Sequence, residues 1–148
     1  PGLAQVPALL ASFERAGLAV SHALHGTAAP LEPAVDLAAY RIVQESLTNV
    51  RKHSGADRAR LFMHYQRERL TITVEDDGST GPHQPRPGAG HGLIGMRERA
   101  ATIGGRLYAG PRAEGGFTVT AELPMHAGCP DPEWDRRDGH DDSRVACR

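Results

Sequence analysis

The sequence predicts an α/β (α+β) fold: a two-layer sandwich in which a mixed, mostly antiparallel sheet carries helices on one face. Three observations predict it. Two hairpin patterns are present. In one, Ala59, Leu61, Met63 and Tyr65 alternate, residues 66–69 turn and 70–74 return; the other pairs 106–109 with 117–123 across the turn-rich segment 110–116. Two longer segments, 34–53 and the one opening at Leu93, carry apolar residues at the 3.6-residue period of a helix. A further alternating segment, 18–25, precedes both hairpins and supplies a first strand.

Each element has its own local reason. Residues 4–16 read as a short helix that packs Val6, Leu9, Leu10 and Phe13 and is stopped by Gly17. The turn 30–33 ends in Pro33, which suits the first turn of the helix 34–53, and Ser54-Gly55 breaks that helix. Its core face is Ala39, Ile42, Val43, Leu47 and Val50. The last helix buries Leu93, Met96, Ala100 and Ile103 and ends at Gly104-Gly105. From Met125 onward periodicity is lost and Asp, Arg, Gly and Pro accumulate, so 125–148 is expected to be a disordered tail. The organisation is then 1–16 as linker and first helix, 17–124 as the folded domain, and the tail.

The chemistry sits where polar residues interrupt this plan. Arg41, Glu45, Asn49 and His53 recur every four residues on helix 34–53, with Lys52 beside them. A wet helix face explains such a stripe equally well; alternatively it offers a hard metal ligand, a proton acceptor and cationic contacts for phosphate. The strand 70–74 runs into Glu75-Asp76-Asp77-Gly78, which places carboxylates at a strand end. Residues 78–90 are too rich in Gly and Pro for helix or strand and read as a mobile lid ending at Gly90-His91-Gly92-Leu93, ahead of the last helix. Glycines at a helix start let backbone approach a ligand, and the free N–H groups there attract an anion such as phosphate.

In this order the motifs resemble those of the ATP-binding catalytic domain of two-component sensor histidine kinases, within the Bergerat or GHKL ATPase superfamily. Glu45-x-x-x-Asn49-x-x-x-His53 resembles the N box. Asp76-x-Gly78 resembles the first glycine box, Gly90-His91-Gly92-Leu93 the second, and Gly116-Phe117-Thr118 the last. The wording of 39–49 and 90–99 is similar to the subfamily of nitrate and membrane-fluidity sensors. The resemblance implies ATP and Mg²⁺ as ligands. It implies that Asn49 chelates the Mg²⁺ bridging the phosphates, that Glu45 lies near the metal water and γ-phosphate, and that Asp76 accepts a hydrogen bond from the adenine amino group beside Gly78. Gly90, His91, Gly92 and Leu93 would hold phosphates, Thr118 would help close the base pocket, and Lys52 and His53 would touch phosphate at the rim. Thr80 stands where the family often has a second glycine.

The same resemblance implies a reaction that this chain does not complete alone. The acceptor His belongs to a separate dimerisation domain, and the phosphoryl group then passes to a response regulator of the helix-turn-helix output type. The parent is expected to be a homodimer and this piece a monomer. His22 and His25, in an alternating strand, read as edge histidines and poor acceptors. Two other readings stand beside this one: an anti-sigma type of protein-serine kinase, and a nucleotide-sensing module without phosphotransfer.

The bulk composition agrees with one ordinary globule of 148 residues, 39% hydrophobic and 24% charged. A formal net charge of -1 gives no electrostatic basis for direct nucleic-acid binding. Cys129 and Cys147 lie in the tail without metal-ligand spacing, which reads as free thiols in a reducing, cytoplasmic compartment. No segment approaches a membrane span, and the start at Pro1 reads as an excised domain; sensors of the family that the motifs resemble are commonly membrane proteins, which implies that the parent can be membrane-anchored.

Overall fold

A computed structural model of the protein describes residues 1–78 and 89–128. Five strands form one sheet in the order β1 (Ala19–His25), β2 (Arg58–Tyr65), β3 (Arg69–Asp76), β5 (Phe117–Pro124), β4 (Arg106–Pro111). Strand β1 runs parallel to β2, with Ala19 opposite Arg58, and the other three pairings are antiparallel. The sheet is therefore mixed and mostly antiparallel, as the two hairpin patterns predict. The parallel pair needs a long crossover, and helix α2 (Pro33–Asn49) supplies it.

The inner face of the sheet follows from alternation. Ala59, Leu61 and Met63 on β2, Leu70, Ile72 and Val74 on β3, and Val119, Ala121 and Leu123 on β5 are all buried. Against them α2 sets Ala39, Ile42, Val43 and Leu47, each at most 1% exposed. Burying side chains of this size contributes about 1.5–3 kcal/mol apiece, so this helix is held by its apolar face. Pro33 occupies its first turn, where a missing N–H is harmless. Asp36 lies in that turn, favourable to the helix dipole, and accepts the Leu3 N–H at 2.9 Å.

Helix α1 (Val6–Arg15) packs Val6, Leu9 and Phe13 into the same core, while Leu10 is only half-buried. The N-terminal segment is thus part of the domain, with a short 3₁₀ turn, Leu3–Gln5, ahead of it. Helix α2 does not simply stop near His53. It widens into a π turn, Val50–Ser54, which ends at Gly55 with φ +71°. The Ser54 hydroxyl donates to the Val50 carbonyl at 3.0 Å and accepts the Ala56 N–H at 3.0 Å, which fixes the exit.

Two boundaries differ from the sequence expectation. Helix α3 (Ala89–Thr102) begins four residues before Leu93, so Gly90 and Gly92 lie inside its first turn. Residues 125–128 also stay attached to the domain. Met125 is buried, its N–H donates to Glu68, and its carbonyl accepts the Glu32 N–H; Ala127 N–H reaches the Glu32 carboxylate at 2.9 Å and Gly128 N–H the Ile103 carbonyl. The expected lid, 78–90, falls mostly outside the described residues, as do Thr80, Cys129, Cys147 and the rest of the tail after Gly128.

Candidate functional site

Between α2, its π turn, α3 and the inner ends of β3 and β5 lies a pocket of about 280 Å³. Its walls are Ser46, Asn49, Val50, His53, Ser54, Val74, Asp76, Leu93, Phe117 and Val119. Most of that lining is hydrocarbon. A flat, largely apolar ligand fits such a slot, with the few polar groups fixing its orientation.

The central polar group is Asp76, only 1% exposed at the end of β3. One carboxylate oxygen, Oδ1, accepts the Gly78 N–H at 2.7 Å, a tight local turn that Gly78 permits with φ +77°. The other, Oδ2, is buried and has no hydrogen-bond partner among the described residues. Ser54 is close, but its single hydroxyl proton goes to the Val50 carbonyl. Burial pushes the Asp76 carboxyl above its ordinary pKa. The Gly78 N–H and Arg112 pull in the opposite direction, and Asp77 adds to the rise. An unpaired buried acceptor is costly, and in a pocket wall it marks a place for a donor that the fold itself does not supply.

At the other end of the pocket, α3 approaches α2 without a side chain in between. A Cβ on Gly92 would lie 2.6 Å from Glu45 Oε1, 3.1 Å from Asn49 Nδ2 and 3.2 Å from Asn49 Oδ1. With glycine at 92 the start of α3 sits this close to the carboxylate and carboxamide of α2, whereas a side chain there would have to push the Glu45 carboxylate aside. Two hard oxygen donors, from Glu45 and Asn49, therefore face the first turn of a helix.

The structure brings together most of the residues singled out from the sequence. Asn49, His53, Asp76 and Leu93 line one pocket, and Glu45, Gly78, Gly90 and Gly92 border it through α2, the end of β3 and the start of α3. Lys52 is exposed on the π turn and is not in the lining. Thr118 is a correction. Asp76 pairs with Phe117 and Val74 with Val119, so those residues share the pocket face; Thr118 pairs with Glu75 and points to the opposite side of the sheet. Phe117 is the residue that the motif reading missed, and counting back by twos from buried Ala121 and Val119 would have found it. Ser46 and Ser54 were also missed, because nothing in their immediate sequence distinguishes them from ordinary helix and break residues. His22 and His25 are exposed on edge strand β1, away from this pocket.

Residues 34–127 match the family of histidine kinase-, DNA gyrase B- and HSP90-like ATPases. The chain belongs to that family. Among relatives of this ATPase domain, it is 45% identical over 89 residues to the signal transduction histidine-protein kinase/phosphatase UhpB of Salmonella typhimurium, covering 58% of this chain and 17% of the relative. With the sensor histidine kinase LnrJ of Bacillus subtilis the identity is 30% over 112 residues, or 76% of this chain and 27% of the relative. The sensor histidine kinase DesK of the same species shares 37% over 85 residues, or 57% and 22% of the respective lengths. The chain spans between 17% and 32% of the length of curated relatives such as these. Its fold is that of the catalytic domain of histidine kinase ThkA, with a TM-score of 0.65 at 15% identity over 82% of this chain and 90% of that one. A blue-light activated histidine kinase from Erythrobacter litoralis EL346 gives a TM-score of 0.60 at 20% identity, covering 84% and 42%. As in that family, the domain is one for binding ATP. No helix among the described residues is long and apolar enough to cross a membrane.

Proposed function

We propose that this domain is the catalytic part of a sensor histidine kinase, in which bound ATP gives its γ-phosphoryl group to a His on a dimerisation domain of the parent protein, for relay to an Asp of a response regulator. The observation that carries this reading is the buried, unpartnered Oδ2 of Asp76 at the wall of an apolar pocket. That acceptor meets the exocyclic amine of adenine, and Val50, Val74, Leu93, Phe117 and Val119 give the purine faces their apolar contacts. The triphosphate then extends toward Gly90, Gly92 and Leu93 at the start of α3, where N–H groups and the helix dipole favour anions.

Mg²⁺ fits the donor set. It commonly takes one or two protein ligands and completes its shell with water and phosphate oxygens. Among the described residues no group of three or more His, Cys, Asp or Glu could hold a metal, whereas Asn49 and Glu45 offer two hard oxygens beside the phosphate end of the pocket. Asn49 would ligate the ion directly and Glu45 through water; the ion would neutralise phosphate charge. Glu45 also orients or accepts a proton near the γ-phosphate, and His53 and Lys52 add contacts at the rim. Phosphoryl transfer needs little covalent chemistry from the protein, so positioning and charge neutralisation do most of the work. The partner regulator is of the helix-turn-helix output type, the parent is a homodimer, and the domain faces the cytoplasm from a membrane-anchored protein.

Calorimetric titration with a non-hydrolysable ATP analogue tests this. Saturable binding is expected, lost in Asp76→Ala with or without Mg²⁺, and weakened in Asn49→Ala mainly when Mg²⁺ is present. A wild-type chain that gives no heat with the analogue at millimolar concentration would sink the reading.

A further inference from the structure

We propose that Arg60 and Arg112 are positioning residues for the nucleotide site: from the outer face of the sheet they grip Asp77 and the backbone of Asp76, and so aim the Asp76 carboxylate into the pocket. The inference rests on the reading of Asp76 as the adenine acceptor. Alternation turns Asp76 inward and Glu75 outward at the end of β3, and Asp77, one residue past the strand, joins Glu75 on the outer face through its contacts with Arg60 and Arg112. Arg60, which lies opposite Glu75 in the β2–β3 register, donates Nε to Glu75 Oε1 at 2.9 Å and both terminal nitrogens to Asp77, at 3.0 and 2.9 Å. Arg112, just beyond β4, donates through one terminal nitrogen to Asp77 Oδ1 at 2.6 Å and to the backbone carbonyl of Asp76 at 3.1 Å. Its other nitrogens lie 3.9 Å from Glu75 and 3.6 Å from Glu114.

Strand β2 and the turn that follows β4 thus converge on one dipeptide. The β4–β5 turn is pressed onto the same spot, since Gly116 has φ +82° and a Cβ there would run into the Asp76 carbonyl oxygen. Opposite this clamp, the Gly78 N–H holds Oδ1. With the carbonyl, the following side chain and one carboxylate oxygen all fixed, the remaining oxygen has little freedom in direction. Binding groups must be held to within about 0.5 Å to be effective. The cluster is not primarily a source of stability, because the Asp77 side chain is 69% exposed and exposed ion pairs contribute little. Bidentate and backbone contacts from planar guanidiniums instead give directional precision.

The test compares an adenine analogue with its hypoxanthine counterpart, which carries a carbonyl in place of the exocyclic amine. Calorimetry on the full chain would use non-hydrolysable ATP and ITP analogues with Mg²⁺, for wild type, Arg112→Ala, Arg112→Lys and Asp77→Ala. A misaimed Asp76 is expected to lower adenine affinity by about tenfold in Arg112→Ala and Asp77→Ala, with the hypoxanthine affinity unchanged, and Arg112→Lys should recover part of the lost selectivity. A purely structural role would weaken both analogues together. Should Arg112→Ala melt before it can be titrated, Asp77→Ala decides alone, because the side chain it removes is mostly exposed. Wild-type selectivity retained in Asp77→Ala and in any titratable Arg112→Ala overturns the clamp and leaves the nucleotide reading intact. A wild-type chain that binds neither analogue overturns both.

Discussion

Asp76 and Asp77 are neighbours of identical chemistry on the two sides of one sheet, and the fold treats them in opposite ways. On the inner side Asp76 is buried with one oxygen unpartnered, and burial raises its pKa. On the outer side Asp77 is exposed and accepts hydrogen bonds from Arg60 and Arg112, which hold its carboxyl well below the ordinary range. The outer carboxylate is already engaged by two guanidiniums. The unsatisfied one is a liability for folding, and its persistence at a pocket wall is the kind of local inconsistency expected where function competes with stability.

The sharpest way to break the comparison is Asp76→Asn. It removes a buried charge and keeps an oxygen for the Gly78 N–H, but it turns an amide NH₂ toward the ligand's own donor. Affinity for an ATP analogue should fall by about 100-fold while the melting temperature rises; a variant that loses both, followed by calorimetry and thermal unfolding, would show that Asp76 serves the fold. Next in size is the contrast across β5. Phe117→Ala strips a pocket wall and should weaken the analogue by about tenfold, whereas Thr118→Ala, on the outer side, should stay within about twofold. Equal effects would mean that the strand faces have been assigned wrongly.

The smallest effect is a pH dependence with opposite signs for binding and folding. Because the folded pKa of Asp76 is raised, the folded chain takes up its proton before the unfolded chain does. As pH falls through that raised value toward the ordinary carboxylate range, the folding penalty of this group is relieved and stability from this residue increases. Asp77, with its depressed folded pKa, loses its stabilising contribution only below the ordinary range. Binding needs the ionised form of Asp76, so the affinity ratio of the ATP analogue to its hypoxanthine counterpart should drop across the same upper interval. A ratio that stays flat down to the ordinary carboxylate range would argue that the Asp76 proton is irrelevant to recognition.

Much of this was legible in the sequence because local periodicity and tertiary burial agree. Every residue assigned to the core face of the long helix, Ala39, Ile42, Val43, Leu47 and Val50, is buried. Both hairpins lie where alternation placed them, and the motif order brought Asn49, His53, Asp76 and Leu93 to one pocket. The misses depend on contacts between distant segments. Thr118 was chosen from its place in a motif, but its facing is set by the register of β5 on β3, which pairs Asp76 with Phe117. The Gly-rich entry to α3 looked like a loop because glycine is a poor helix former. Gly92 is nonetheless helical, where its lack of a side chain lets α3 close on Glu45 and Asn49. Residues 125–128 have no periodicity of their own, and their order comes from hydrogen bonds to Glu32, Glu68 and Ile103.

The parallel pairing of β1 with β2 also shapes how the molecule assembles. Hairpins β2–β3 and β4–β5 join segments close in sequence and close within microseconds, whereas β1 can dock only after the chain through α2 has been looped back along the sheet. That closure spans 39 residues from Ala19 to Arg58, and the pairing of β3 with β5 spans 41 from Asp76 to Phe117 and 55 from Arg69 to Pro124, so both are far less local than the hairpins and are expected to form more slowly. Glu45 and Asn49 ride on the β1–β2 crossover itself, so their approach to Asp76 on β3 depends on these long-range closures and not on either hairpin alone.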